Sequence, residues 1–153
     1  MKTKALLLLG LIWLVSSCDN GSIFKRKLSF SKNQWPKTST NAFIVEITDD
    51  SKNYDVTFLL WHVYDYQFDT IPLSFTWIKP DGSKEVIPVS LAIKDKNGKE
   101  LGECAGDICD LKKVILSDVQ LPKGTNEIIV QHTFNHDYLP NIIQIGMDVS
   151  TTN

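Results

Sequence analysis

Apolar and polar residues alternate with a period of two along most of the chain from Asn41 onward. Side chains of a β-strand point alternately to the two faces of a sheet, so this pattern is typical of strands with one buried face. No stretch of this region has a convincing helical period. The apolar positions of the clearest runs are Phe43, Val45 and Ile47; Tyr54, Val56, Phe58 and Leu60; Leu73, Phe75 and Trp77; Ile128, Val130 and Phe134; and Ile143, Ile145, Met147 and Val149.

Turn residues separate these runs. The sequence contains Pro80-Asp81-Gly82, Asn97-Gly98 and Pro122-Lys123-Gly124, in which proline fixes φ and glycine accepts a positive φ. A further run contains Pro88, which suits an edge strand or a bulge because proline donates no backbone hydrogen bond. About seven to nine short strands separated by turns predict an all-β fold, an antiparallel β-sandwich of the Ig-like or jelly-roll-like kind. This single domain is predicted over residues 41–153.

A different pattern occupies the start of the chain. Lys2 and Lys4 precede an apolar run of about ten residues, which is typical of a secretory signal peptide and is too short for a membrane-spanning helix of ~20 residues. The run ends at Leu14-Val15-Ser16-Ser17-Cys18, which matches a lipobox. We therefore predict a signal peptide over residues 1–17 and a palmitate-type lipid anchor on Cys18. A plain signal peptide with an incidental cysteine is the alternative.

Residues 18–40 are rich in Asn, Ser, Lys and Gly and lack sustained periodicity. This composition predicts a lipidated N-terminus and a flexible tether, whose Phe30, Trp35 and Pro36 begin to pack on the domain. Lys25-Arg26-Lys27 is either a solvated part of this linker or a contact to anionic head groups. Without the two lysines of the signal peptide, 14 basic residues remain against 18 acidic ones, and this net charge of −4 argues against a nucleic-acid partner.

If Cys18 carries lipid, Cys104 and Cys109 remain as a pair in an oxidising compartment. One structural disulfide is the arrangement that this count favours. Two free thiols, a redox pair and half of a metal site are the alternatives. A Cys-x-x-Cys redox motif has a different spacing, and the sequence contains no second cysteine pair that would complete a zinc site.

The histidines form no recognisable catalytic motif. His132 and His136 are four residues apart, a spacing that would join them to one metal ion on a helix but separates them by ~13 Å on a strand. His132 falls on the apolar face of its run and is expected in or near the core, while Asp137 follows His136 and His62 is distant in the sequence. No nucleophile-elbow glycine pattern accompanies them. We therefore expect no enzyme, no metal and no cofactor.

Four aromatic residues crowd one connection of the predicted sandwich: Trp61, Tyr64, Tyr66 and Phe68. Exposed aromatic residues on such a scaffold can contact a protein partner or stack on sugar rings. We predict that these four residues form a docking surface for proteins, with carbohydrate binding as the alternative. The same side chains could instead close the end of the core.

Several landmarks follow one another in order along the predicted mature chain. They are Cys18-Asp19, Trp35, residues 43–50, residues 54–60, residues 64–68 ahead of Leu73, Pro80-Asp81-Gly82, Leu101-Gly102, Gly106-Asp107-Ile108 and residues 139–146. In their order and spacing, these landmarks resemble the gliding-motility-associated lipoprotein GldH family of Bacteroidetes.

This resemblance implies a non-enzymatic lipoprotein of the cell envelope, anchored in the outer membrane. Proteins of this family take part in the machinery that moves surface adhesins along the cell. The resemblance therefore implies, besides the membrane itself, partners among the envelope proteins of a gliding or secretion-linked apparatus. Composition and periodicity alone indicate an anchored β-domain.

Overall fold

The computed structural model describes residues 21–152, which form eleven β-strands and a short 3-10 helix at Ser31–Asn33. The strands are β1 (Ser22–Ser29), β2 (Gln34–Pro36), β3 (Asn41–Ile47), β4 (Asn53–Val63), β5 (Thr70–Ile78), β6 (Lys84–Ala92), β7 (Glu103–Ala105), β8 (Ile108–Gln120), β9 (Gly124–His132), β10 (Tyr138–Pro140) and β11 (Ile142–Thr151). The predicted signal peptide and Cys18 lie outside the described residues. Over residues 21–152, no helix is long and apolar enough to cross a membrane.

The strands form two main antiparallel sheets and one small sheet. The first has the strand order β1-β11-β4-β8-β7, the second has the order β3-β9-β5-β6, and β2 pairs with β10. The predicted all-β antiparallel sandwich is therefore confirmed, and eight of the eleven strands are longer than three residues. The edge position of β6 in the four-stranded sheet agrees with the presence of Pro88 in that strand.

The core forms because the inward side chains of both sheets are the apolar members of the alternating pattern. β4, in the centre of the five-stranded sheet, buries Tyr54, Val56, Phe58 and Leu60. The four-stranded sheet faces it, and the rings of Phe58 and Phe75 meet edge to face with their centroids 5.3 Å apart. The burial of each large apolar side chain of this kind contributes about 1.5–3 kcal/mol.

The N-terminal part of the domain differs from the prediction. The sequence predicts a flexible tether over residues 18–40, but β1 pairs with β11 and forms an edge of the five-stranded sheet. Phe24 and Leu28 pack against the core, while Lys25-Arg26-Lys27 between them is exposed. The charged run conceals the alternation, because long basic side chains at a sheet edge reach solvent whichever face they start from. The tether prediction is therefore wrong for residues 21–40, which belong to the domain.

Trp35 attaches the segment after β1 to the core. Its side chain is 1% exposed, stacks on Phe30 with 5.5 Å between ring centroids, and meets His132 edge to face at 5.3 Å. Nε2 of His132 donates a 3.1 Å hydrogen bond to the backbone carbonyl oxygen of Trp35. Burial lowers the pKa of His132, which favours the neutral ring. His132 is thus a core residue, as its position in the apolar run predicts.

The antiparallel strands give the domain two distinct ends. At one end, the start of β1 and the last residues of β11 are joined by a 2.9 Å hydrogen bond from the N–H of Thr151 to the carbonyl oxygen of Gly21. We call this the Gly21 end; the β3–β4 and β5–β6 turns lie there as well. The opposite end, which we call the far end, contains the β2–β10 sheet and the connections at residues 64–69, 93–102 and 133–137.

We expect Trp35→Ala to lower the free energy of unfolding by about 3–5 kcal/mol, because it removes a buried indole and leaves a cavity beside Phe30 and His132. Urea unfolding of the detergent-solubilised chain, followed by circular dichroism, measures this change. Tyr64→Ala is the control, since it truncates an aromatic side chain that is 55% exposed and should cost no more than about 0.5 kcal/mol. Equal effects of the two substitutions would contradict the packing of this segment on the core.

Candidate functional site

The four aromatic residues predicted as one docking surface lie in different environments. Trp61 is on the outer face of the five-stranded sheet, and Tyr64 is 55% exposed beyond the end of β4. Tyr66 is only 1% exposed, and burial raises the pKa of its hydroxyl far above the usual range. Phe68 is half-buried, with its ring centroid 4.5 Å from that of Phe134. The prediction is therefore wrong for Tyr66, which offers a partner almost no surface.

The backbone explains why Tyr66 turns inward. After β4 ends at Val63, Asp65 adopts a positive φ of 55° and turns the chain. The ring of Tyr66 then lies 5.4 Å from His62 and 5.8 Å from Phe68, measured between centroids. For Tyr66, the alternative that the aromatic residues close the end of the core is the one that the structure supports.

Trp61 lies against the outside of the sheet beside Gly146. A Cβ atom at position 146 would come within 3.3 Å of the indole Cζ3 and 3.0 Å of the carbonyl oxygen of Arg26, so glycine makes room for the ring. The Nζ of Lys27 lies 4.3 Å from the ring centroid and forms a cation–π contact with the indole. We call the outward side chains of Lys25, Lys27, Leu59, Trp61 and Lys112 the Trp61 face.

The Trp61 face contains basic side chains, while the cross-strand partner of Trp61 on β8 is Asp110. Lys25 pairs with Asp148, with 3.1 Å between Nζ and Oδ2. None of the ion pairs formed within residues 21–152 involves Lys27 or Lys112. A shallow depression of about 200 Å³ lies beside Lys25 and Lys112. Lys27 and Lys112 form no ion pair within residues 21–152, so the part of the face that they occupy is complementary to an acidic protein surface.

A second recess, of about 340 Å³, opens at the far end of the domain. It is lined by Phe68, His136, Asp137, Tyr138 and Pro140. Phe134 supports this wall, with its ring centroid 4.9 Å from that of His136. Aromatic walls with a nearby carboxylate suit the stacking and hydrogen bonding of a sugar ring. Of the four predicted docking residues, Phe68 is the one that lines this recess.

The polar groups that the fold brings together are not those singled out from the sequence. His132 is held in the core, and His136 lies in the recess at the far end. Instead, His62, Glu100 and Cys109 place three potential ligand atoms within 4.8 Å of one another. These residues are far apart along the chain and match no ligand-spacing motif, so the sequence carries no signal for the cluster.

Strand pairing accounts for most of this cluster. Neighbouring strands β4, β8 and β7 place His62, Cys109 and Cys104 in one row across the five-stranded sheet. Cys104 and Cys109 are joined by a disulfide. Glu100 reaches the row from the connection between β6 and β7. Gly102 allows this approach, because a Cβ atom there would lie 2.6 Å from the carbonyl oxygen of Asp110.

The hydrogen bonds of the cluster leave two buried atoms facing each other. His62 is 0% exposed, and its Nδ1 donates a 2.9 Å hydrogen bond to the carbonyl oxygen of Val63. Oε1 of Glu100 accepts a 3.3 Å hydrogen bond from the N–H of Tyr66. Nε2 of His62 and Oε2 of Glu100 lie 3.9 Å apart, and neither has a hydrogen-bond partner within the described part of the chain.

In the comparison with protein families, the family described as GldH lipoprotein matches residues 22–149. The search of curated proteins found no match. Among solved structures, the chain is similar to one chain of the structure of infectious bursal disease virus Gx strain, with 12% identity, a TM-score of 0.28, and coverage of 86% of this chain and 33% of that chain. The viral chain is thus about three times as long as the matched region, and a TM-score this low supports no argument about fold or function.

We expect Gly146→Ala to displace Trp61 from the sheet, because the added methyl group would collide with the indole and with backbone that cannot move freely. The substitution should cost about 1–3 kcal/mol of stability and shift the Trp61 indole N–H resonance in an NMR spectrum. Ser150→Ala, on the same face of β11, is the control and should leave that resonance in place. An unchanged Trp61 signal in Gly146→Ala would contradict the close packing described above.

Proposed function

The chain belongs to the GldH lipoprotein family, and from this membership we propose that it acts as a non-enzymatic docking module of a gliding-motility-type apparatus at the outer membrane. The family consists of lipoproteins of this type, so the chain is a lipid-anchored protein of the cell envelope. The match over residues 22–149 is the observation that carries the proposal, since it covers almost the whole described domain. The outer membrane, the docking role and the absence of catalysis are the parts that we propose.

Anchoring at Cys18 would hold the domain close to the membrane. Only two residues separate Cys18 from Gly21, where the described domain begins, and three peptide steps span at most about 11 Å. The Gly21 end would therefore lie at the lipid surface. The eight residues of β1 rise ~26 Å from there, so the far end would project into the envelope compartment.

The Trp61 face is the surface that we propose for docking. Its occupant would be an envelope protein that presents carboxylates around an apolar or aromatic group. Lys27 and Lys112 support this choice, because they have no carboxylate partner within residues 21–152. Lys27 contacts the partly exposed indole, and Lys112 pairs with Leu59, the next outward residue of β4. Burial of an aromatic anchor inside a basic rim is a common source of binding energy in protein interfaces.

We expect Cys18→Ser to release the protein from membranes, because it removes the sulfur that carries the lipid. Each buried methylene of an acyl chain contributes ~0.8 kcal/mol, so loss of the chains should move most of the protein to the soluble fraction. Membrane fractionation of cells, with inner and outer membranes separated by density, measures both retention and location. Cys104→Ser is the matched control. Retention of Cys18→Ser in the outer membrane would exclude Cys18 as the anchor.

A photo-crosslinking amino acid placed at Lys112 should capture an acidic envelope protein in living cells. Adding Trp61→Ala and Lys27→Ala to this variant should reduce the adduct on the order of tenfold or more, as expected for loss of an interface anchor. The same crosslinker at Val86, which is 62% exposed on the other sheet, is the control. Mass spectrometry identifies the adduct. Equal adducts from both positions, or no dependence on Trp61, would contradict docking through this face.

Carbohydrate binding is the second candidate function, and the recess lined by Phe68, His136 and Tyr138 is the observation that favours it. If the recess binds carbohydrate, Tyr138→Ala and Asp137→Asn should each lower binding to a glycan array on the order of tenfold, while Trp61→Ala should leave it unchanged. Tyr64→Ala serves as the control for general loss of an exposed aromatic side chain. Binding that depends on Trp61 instead would point back to the Trp61 face.

A further inference from the structure

The row of buried polar groups behind the disulfide offers the ligands of a metal site. It combines an imidazole nitrogen of His62, a carboxylate oxygen of Glu100 and the sulfur of Cys109, all within 4.8 Å of one another. Around tetrahedral zinc, such donor atoms lie roughly 3.3–3.8 Å apart, since Zn–N and Zn–O bonds are about 2.0–2.1 Å and Zn–S bonds about 2.3 Å. The 3.9 Å between Nε2 and Oε2 is close to this spacing.

The hydrogen bonding of the row points to a cation. Nδ1 of His62 donates to a backbone carbonyl, so a neutral imidazole ring would present the lone pair of Nε2 towards Glu100. A backbone carbonyl on one imidazole nitrogen is the usual arrangement for a histidine that binds metal through the other nitrogen. Oε1 of Glu100 is likewise held by the N–H of Tyr66, which leaves Oε2 directed at the same point. Two buried acceptors that face each other repel unless a proton or a metal ion lies between them.

A recess on the surface lies next to this cluster. A recess of about 320 Å³ is lined by Tyr64, Glu100, Gly102 and Cys104, among others. Cys104 is exposed and Cys109 is 0% exposed, so the disulfide lies between the recess and His62. While the disulfide is intact, the sulfur of Cys109 is not a thiolate and is a poor metal ligand.

We propose that reduction of the Cys104–Cys109 disulfide creates a binding site for a divalent metal ion of the zinc class, held by His62, Glu100 and Cys109. The reductant is a dithiol. One of its thiolates attacks the exposed sulfur of Cys104, forms a mixed disulfide and releases Cys109 as a thiolate. The second thiol of the reductant then attacks the mixed disulfide and breaks its bond to Cys104, whose sulfur takes up a proton. The reductant leaves as an intramolecular disulfide, so it has been oxidised and the protein has been reduced.

Zinc is the class that this donor set favours, because it accepts nitrogen, sulfur and oxygen ligands in one tetrahedral site. The thiolate of Cys109 binds the ion directly; any Cys109 thiol that has taken up a proton releases it on binding. The fourth position faces the recess and is open to the sulfur of Cys104 or to water. The site is distinct from the Trp61 face, since His62 points to the opposite side of β4.

The test uses the full mature lipoprotein in detergent and Co²⁺ as a spectroscopic substitute for zinc. Reduction with a phosphine under anaerobic conditions should increase the affinity for Co²⁺ on the order of 100-fold and produce a sulfur-to-cobalt charge-transfer band. His62→Gln and Glu100→Gln should each lower the affinity of the reduced protein at least about tenfold, whereas His136→Gln should not. Isothermal titration with Zn²⁺ provides the second measurement.

Two matched variants separate a metal site from a general effect of losing the disulfide. Cys104→Ser leaves Cys109 as a free thiol and should bind Co²⁺ without any reductant, with the charge-transfer band present. Cys109→Ser breaks the same disulfide but removes the ligand, and should show neither. Identical behaviour of these variants, or a reduced wild-type protein that binds Co²⁺ no better than the oxidised one, would overturn the proposal. Circular dichroism of both variants confirms that the comparison is made on folded protein.

Discussion

The alternation of side chains along β4 is the constraint on which the other features of this domain depend. β4 pairs with β11 on one side and with β8 on the other, so the hydrogen bonds to both neighbours determine its register. A shift of this register by one residue would move every buried side chain of β4 to the outer face and expose the apolar core to solvent. Leu60 and His62 therefore point inward, and Trp61 between them points outward. One strand thus supplies both the Trp61 face and the buried polar row, on opposite sides of one sheet.

Local patterns in the sequence were enough to predict the sandwich, because the apolar runs of β3, β4, β5, β9 and β11 alternate clearly. The same logic failed at β1, where Phe24 and Leu28 are separated by three basic residues and the burial depends on pairing with β11 at the other end of the chain. It also failed for Tyr66, since the turn at Asp65 reverses the direction that the strand pattern would give its side chain. The cluster of His62 with Glu100 could not be predicted from the sequence either. It arises from packing between segments that are separated along the chain, and no periodic pattern of residues indicates such packing.

The inclusion of residues 21–40 in the domain changes how an anchor at Cys18 would act. A tether of that length would let the domain sample a layer ~25 Å deep. If Cys18 carries the lipid, the two residues between it and Gly21 would limit the height of the domain above the membrane to about 11 Å. For a partner at the same distance from the membrane as the Trp61 face, the effective concentration of that face would be high. For a partner outside this layer, the effective concentration would be close to zero. β1 is an edge strand of the same sheet that carries Trp61, so the strand that begins just after the proposed anchor belongs to the sheet that carries the proposed docking face.

The Cys104–Cys109 disulfide closes only a short loop, so it stabilises the fold less than a disulfide between distant residues would. The two cysteines are five residues apart, so the loop that they close is short and constrains the unfolded chain by only about 2 kcal/mol. β7 and β8 pair through their backbone ladder at the same point, so the two strands do not depend on the disulfide to stay together. Cys109, moreover, is held in the centre of the row by the pairing of β8 with β4. The proposed reduction would therefore change the chemistry of the row, while the strand pairing of β4 with β8 and β11 would keep His62 in position.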